Sequence, residues 1–164
     1  MSTEKTRSKN EVTIEHLSIA CKHYEEMKAA GVTHNHSIRT LEFFCDVYAK
    51  MSVTKNKGPH NTKKVELWSK KARKYKKAIE DKNIKAGSVV VIEHGTPQRA
   101  FAGLVYDLWK KGKLGEAGLD QLVEKHYRLA VITREEDKLL NSKKLRSEFF
   151  QDPEERWKNA GIVF

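Results

Sequence analysis

Apolar side chains recur at steps of three and four residues through most of the chain, and this spacing limits its fold more than any other feature. In residues 12–30 the recurring residues are Ile14, Leu17, Ala20, Cys21, Tyr24 and Met27. A similar stripe runs through residues 38–51. Such spacing places apolar side chains on one face of an α-helix. The sequence therefore predicts a mainly α fold, in which amphipathic helices pack around a compact core.

Two short runs of β-branched and apolar residues interrupt the helical spacing. They cover residues 88–94 and 127–132, and their composition is typical of strands. With two candidates, the sequence predicts at most a short two-stranded β ribbon. Thr133, followed three residues later by Glu136, has the pattern of a capping box, which predicts a helix start directly after the second strand.

The length of the chain and its unpatterned segments predict one domain with a flexible N-terminal segment. A chain of 164 residues can bury about two thirds of its unfolded surface. Residues 1–10 are charged and unpatterned, which predicts a flexible basic N-terminal arm before a single globular, mostly helical domain over residues 11–164. Residues 52–61 contain Gly58-Pro59 and no apolar period, which predicts a long exposed loop.

The sequence shows no sign of secretion or membrane insertion. Residues 1–10 lack the apolar core of a signal peptide, and no run approaches the ~20 apolar residues that span a bilayer. Only two cysteines occur, Cys21 and Cys45, and each lies within a helical stripe rather than in a disulfide framework. We therefore expect a cytoplasmic protein without a membrane partner.

The charge balance favours a polyanionic partner. The chain has 32 Lys and Arg against 22 Asp and Glu, a formal net charge of +10. Such a surplus attracts polyanions, and nucleic acid is the commonest of them. The alternative is a positive surface that only maintains solubility. Neither the choice between DNA and RNA nor the oligomeric state follows from composition.

A Lys-rich segment is the first candidate site. Residues 62–81 are predicted as one helix with a basic surface, whose cations are Lys63, Lys64, Lys70, Lys71, Arg73, Lys74, Lys76 and Lys77. Lysine is a point charge, so contacts with phosphates and little base discrimination are expected. The spacing of Trp68 and Tyr75 places both rings on the packing face of this helix, rather than exposed for base stacking. The alternative for the segment is an ordinary solvated surface.

The leading interpretation is therefore a sequence-tolerant nucleic-acid-binding protein that needs no cofactor. Further phosphate contacts are expected from Lys55, Lys57, Lys110, Lys111, Lys143, Lys144 and Arg146. A regulatory protein that binds an acidic or nucleoprotein partner would have the same composition, because a basic helix also attracts acidic side chains.

Glu93 and His94 form the second candidate site, at the junction of the first predicted strand with a helix. An imidazole can deprotonate water, and an adjacent carboxylate can hold a divalent cation. Residues 92–97, an apolar strand end followed by Glu93-His94-x-x-Pro97, resemble the opening of the HNH (His-Me finger) nuclease motif. The resemblance implies a small metal-dependent nuclease with His94 as general base, Glu93 as a metal ligand and Mg²⁺ as cofactor. It does not extend beyond these residues.

Glu93-His94 and the acids that follow the second predicted strand each have a simpler interpretation. His94 can hydrogen-bond a neighbouring helix while Glu93 pairs with a lysine. Glu135, Glu136 and Asp137 follow the second predicted strand, and would lie near His94 if the adjacent strand ends met. These three acids also fit the first turn of a capped helix, where the helix dipole favours negative charge.

Other enzyme classes have no support in the sequence. The patterns GxxxxGK[ST], GxGxxG, GxSxG and HExxH are absent. A nucleotide hydrolase, a dinucleotide-binding enzyme, a serine hydrolase of that type and a zinc protease are therefore not indicated. The sequence therefore supports both a non-enzymatic binding protein and a nuclease.

Overall fold

The computed structural model describes residues 11–53 and 62–164. Within these ranges the α-helices are α1 (Ile14–Ala29), α2 (His34–Ser37), α3 (Arg39–Val53), α4 (Lys70–Glu80), α5 (Ala86–Val89), α6 (Gln98–Lys110), α7 (Glu116–His126), α8 (Arg134–Ser142) and α9 (Glu155–Ala160). A 3₁₀ helix covers Thr62–Lys64. The prediction of a mainly α fold is confirmed. None of the helices in these two ranges combines the length and the apolar content needed to cross a membrane.

Two predicted segments fall partly or wholly outside the described residues. The predicted arm over residues 1–10 lies outside them, as do residues 54–61 of the predicted loop. The first two residues of that loop, Ser52 and Val53, belong instead to the end of α3.

Three short strands form the sheet: β1 (Leu67–Trp68), β2 (Val90–His94) and β3 (Leu129–Thr133). Their order is β1-β3-β2, with β1 parallel and β2 antiparallel to β3. The predicted limit of two strands is therefore wrong. Because β1 has only two residues, it is too short to show the alternation by which a strand is recognised in sequence.

The third predicted helix starts later than the sequence suggested. It begins at Lys70, because Ser69 adopts an extended conformation and its hydroxyl accepts the N–H of Ala72 as N-cap. Ser69 also donates to a carboxylate oxygen of Glu136 at 2.6 Å. That carboxylate completes the predicted capping box with Thr133, which is confirmed. The two helix starts are thus fixed to each other across the end of β3.

Strand β3 is buried along its whole length and separates two apolar clusters. Side chains alternate between the faces of a strand. Leu129 and Val131 accordingly belong to the large cluster built on α1, α3, α6 and α7. The opposite face contributes to a smaller cluster that consists of Ala130, Ile132, Leu140, Leu145, Trp157, Ala160 and Ile162. The segment from residue 140 onward therefore covers the second face of the sheet.

The end of β2 is closed by the C-terminal segment. A Cβ added to Gly95 would lie 2.5 Å from the carbonyl oxygen of Pro153, so glycine is required at this position. Thr96 does not cap α6, because α6 begins at Gln98 and its N-cap residue is Pro97, whose side chain makes no hydrogen bond. The Thr96 hydroxyl is instead buried without a partner in the described part of the chain. Residues 94–97 therefore form a tight corner beneath Pro153.

Candidate functional sites

Helix α4 carries the cations that the sequence placed in a basic helix. Six of them are exposed, and we call them the basic face: Lys70, Lys71, Arg73, Lys74, Lys76 and Lys77. Only Ala72 and Ile79 of this helix are buried, because α4 packs on the sheet through a narrow apolar stripe. None of the six cations forms a salt bridge with any described residue. The basic face therefore presents positive charge that nearby acids do not compensate.

The two remaining predicted cations lie apart from α4. Lys63 and Lys64 belong to the 3₁₀ helix Thr62–Lys64, which precedes β1. Lys64 is half-buried, and the side chain of Lys63 lies outside what the structure describes. The structure thus groups six of the eight predicted cations on one helix.

The two aromatic residues predicted to pack behave differently. Trp68 is 3% exposed, and its Nε1–H donates to the carbonyl oxygen of Val65 at 2.8 Å, so packing is confirmed for it. The same expectation is wrong for Tyr75, which is 39% exposed. With only Ala72 and Ile79 buried, the packing stripe of α4 is too narrow to cover the ring. Tyr75 therefore lies among the cations of the basic face.

Asp46 is the centre of a hydrogen-bonded cluster around His94. Strand β2 ends at His94, whose Nε2 lies 2.8 Å from Oδ1 of Asp46 on α3. Tyr127, just after α7, donates its hydroxyl to the same oxygen at 2.8 Å. Lys50, one turn further along α3, lies 2.7 Å from Oδ2. Side chains from β2, from α3 and from the residue after α7 thus converge on one carboxylate. We call Asp46, His94, Tyr127 and Lys50 the Asp46 cluster.

The surroundings of Asp46 fix the protonation of the cluster. Burial alone would raise the pKa of Asp46, but hydrogen bonds and charge from His94 and Lys50 outweigh it and hold the pKa below its usual range. Burial and the charge of Asp46 raise the pKa of Tyr127, which therefore keeps its proton. An ionised carboxylate only accepts hydrogen bonds, which assigns a proton to Nε2 of His94. In neutral His94 the basic nitrogen is then Nδ1.

His94 is 14% exposed in its side chain and lines a cleft of about 410 Å³. The cleft is bounded by the end of β2, the start of α6, Glu42 of α3 and the turn at Arg146. Nδ1 of His94 has no hydrogen-bond partner among the described residues, and it is not among their fully buried unpartnered atoms. His94 therefore contributes an accessible ring nitrogen, unpaired among the described residues, to this cleft, which we call the His94 cleft.

Glu93, next to His94, pairs with a residue outside the Asp46 cluster. Its carboxylate contacts Nη2 of Arg156, whose side chain is 0% exposed. The same guanidinium donates to the carbonyl oxygens of Gly95 at 3.0 Å, Leu145 at 3.3 Å and Arg146 at 3.1 Å, and to that of His94. Arg156 thus joins the end of β2 to the turn at residues 145–146.

The residues around the His94 cleft do not fit a divalent cation. Mg²⁺ is held by free carboxylate and other oxygen ligands. Glu93 pairs with Arg156, Asp46 pairs with Lys50 and His94, and Glu42 accepts from Arg99 at 2.7 Å. Among the described residues, no group of three His, Cys, Asp or Glu side chains has the arrangement of a metal site. Glu93, the metal ligand that the HNH resemblance implies, is therefore already paired with a cation.

The acids after β3 do not join this site. Antiparallel pairing sets Val90 opposite Thr133 and His94 opposite Leu129. The four-residue separation places the start of α8 about 13 Å from His94 along the sheet, at about 3.3 Å per residue. Glu135, Glu136 and Asp137 therefore lie at the opposite end of β2, and the expectation that they approach His94 is wrong.

Asp46 and Arg156, the two residues that organise this region, were missed in the sequence. Asp46 lies 48 residues from His94 and Arg156 lies 63 residues from Glu93. No local spacing marks such pairs, since their contacts depend on the packing of helices against the end of the sheet.

Comparisons with protein-family models, curated proteins and solved structures find no match for this chain.

Proposed function

We propose that this protein binds nucleic acid through the basic face of α4, with little dependence on base sequence. The observation that supports the proposal most strongly is the set of six exposed cations without a salt bridge to any described residue. Phosphates can replace counterions along such a face, and the release of those counterions favours binding.

The composition of the basic face supports phosphate contact rather than base readout. Five of its six cations are lysines, and lysine lacks the planar fork with which arginine recognises guanine edges. Tyr75 adds an exposed ring on which an unpaired base can stack. We therefore expect binding to tolerate sequence and to include single strands.

The first prediction concerns the charge of this face. Lys71→Gln combined with Lys74→Gln should weaken binding to all sequences alike, because two phosphate contacts are lost. Each contact contributes about 0.9 to the slope of log affinity against log salt on duplex DNA, so the slope should fall by about 2. Fluorescence anisotropy with labelled DNA and RNA over a salt series measures both quantities.

A matched control removes the same charge elsewhere. Lys22→Gln combined with Lys28→Gln alters two exposed lysines of α1 and should leave the slope near the wild-type value. Binding that ignores salt, or an equal loss in both double variants, would contradict the proposal. Retention of a protein partner after nuclease treatment would favour the regulatory alternative, in which the basic face contacts acidic side chains.

A second candidate function is cleavage of phosphodiesters at the His94 cleft. The hydrogen bond from His94 to ionised Asp46 favours it, because a carboxylate that holds one imidazole nitrogen fixes the orientation of the ring and of its other nitrogen. In this proposal Nδ1 takes a proton from water, and the water oxygen attacks phosphorus. The leaving oxygen then takes a proton from the imidazolium or from solvent.

The second prediction separates binding from cleavage. Labelled duplex, single-stranded DNA and RNA are incubated with the protein and analysed on native and denaturing gels. Cleavage should disappear in His94→Ala and persist in His23→Ala, an exposed histidine of α1. It should also persist in EDTA, since the carboxylates near His94 are paired with cations. Intact strands in every lane would refute cleavage while leaving a gel shift unaffected.

A further inference from the structure

We propose that the His94 cleft is a binding site for a phosphate group, contacted by Arg99, Arg146 and Nδ1 of His94. This inference rests on the second candidate function and names the group that the cleft would recognise. Arg99 and Arg146 line the cleft together with His94. Guanidinium groups bind phosphate oxygens in pairs of parallel hydrogen bonds, which makes them well suited to this ligand.

Arg99 is held in place on the α6 side of the cleft. Its Nε donates to Glu42 at 2.7 Å and its Nη1 donates to Asn35 at 2.7 Å. Nη2 of Arg99 has no partner among the described residues. The guanidinium is thus oriented by two contacts, which leave one nitrogen to meet a ligand.

Arg146 faces the cleft from the turn after α8. Buried Arg156 donates to the backbone carbonyl of Arg146 and to that of His94, which fixes the turn against the end of β2. Among the described residues, the exposed side chain of Arg146 donates only through Nη1, to Asn141 at 3.0 Å. Arg146 therefore approaches the cleft on a rigid backbone, with donors left for an anion.

The charges in and behind the cleft favour an anion. In and behind the cleft, four cations, Arg99, Arg146, Arg156 and Lys50, face three carboxylates, those of Glu42, Glu93 and Asp46. One positive charge remains before His94 is counted. The volume of about 410 Å³ lies in the range of about 300–1,000 Å³ that small-molecule sites occupy, so a phosphate can enter with an attached sugar.

Titration with inorganic phosphate at constant ionic strength tests this proposal on the full chain. The NMR signals of the His94 ring should shift and saturate, and chloride should not reproduce the shift. Arg146→Gln should weaken the affinity about tenfold or more, because a charged hydrogen-bond donor is lost. This substitution keeps the backbone carbonyl that Arg156 uses, and an unchanged unfolding midpoint would show that the fold is intact.

One comparison separates this proposal from binding at the basic face, and a second identifies the ligand. Lys71→Gln with Lys74→Gln should retain the phosphate-dependent shift, because the basic face is a different surface. A nucleoside monophosphate that binds more tightly than inorganic phosphate would identify a nucleotide phosphate as the ligand. Absence of a saturable shift at His94, or an unchanged phosphate affinity in Arg146→Gln, would overturn the inference, even if the protein still bound nucleic acid in a gel shift.

Discussion

Arg156→Met should lower the free energy of unfolding by about 3–5 kcal/mol, the usual effect of removing one partner of a buried ion pair. The Arg156 side chain is fully buried and donates to Glu93 and to four backbone carbonyls. Methionine fills part of the space but leaves the carboxylate and those carbonyls without their donor. Urea unfolding followed by circular dichroism measures the loss.

A control on the same helix isolates the effect of burial. Lys158→Met alters an exposed cation that contacts Asp152 at 3.6 Å, and should change stability by less than about 0.5 kcal/mol. Adding Glu93→Gln to Arg156→Met should recover part of the loss, because the unpaired carboxylate is then removed. A value for Arg156→Met within about 1 kcal/mol of the wild type would show that Arg156 does not hold this corner together.

Asp46→Asn should lower the free energy of unfolding by about 1.5–3 kcal/mol at neutral pH, since hydrogen bonds to a charged group are lost. The amide retains one oxygen for Tyr127 or His94, but its NH₂ group meets the ammonium of Lys50, which can only donate. Glu26→Gln, at an exposed carboxylate 3.9 Å from Lys22, serves as the control and should have little effect.

The destabilisation by Asp46→Asn should also depend on pH. The pKa of Asp46 is lower in the folded protein than in the unfolded chain, where it is about 3.9. Ionised Asp46 therefore stabilises the fold above that pH, and the contribution is lost as the pH falls from about 4 towards the folded-state pKa. The difference between wild type and variant should shrink over this range. A difference that stays constant from neutral pH to pH 3 would contradict the assignment.

Local patterns in the sequence predicted the mainly α fold, several of its helices and the start of α8. The apolar spacing around Leu17 and Leu41 identified α1 and α3, and Thr133 with Glu136 identified the start of α8. These features depend on residues within one or two turns of each other, so they are visible in sequence. Strand β1 was missed for the opposite reason, because a two-residue strand is defined only by its pairing with β3.

The candidate sites show the same limit. The cations of α4 could be predicted as exposed, because lysine is rarely buried without a partner. His94 was identified from its place at a strand end, but Asp46 and Arg156 were not, since each contacts partners from distant parts of the chain. Tyr75 was assigned to the core because helical spacing does not reveal how narrow the packed stripe of α4 is.

The closure of Gly95 by Pro153 has a consequence for the order of events during protein synthesis. Chains emerge from the ribosome starting at the N-terminus, and a domain generally folds as a unit. Strand β2 and the Asp46 cluster leave the ribosome well before Pro153 and Arg156 do. Until those residues arrive, Glu93 has no buried cation and the turn at Arg146 has no anchor. The His94 cleft therefore cannot be completed before residue 156 has been synthesised, and a nascent chain has the imidazole before it has the cleft.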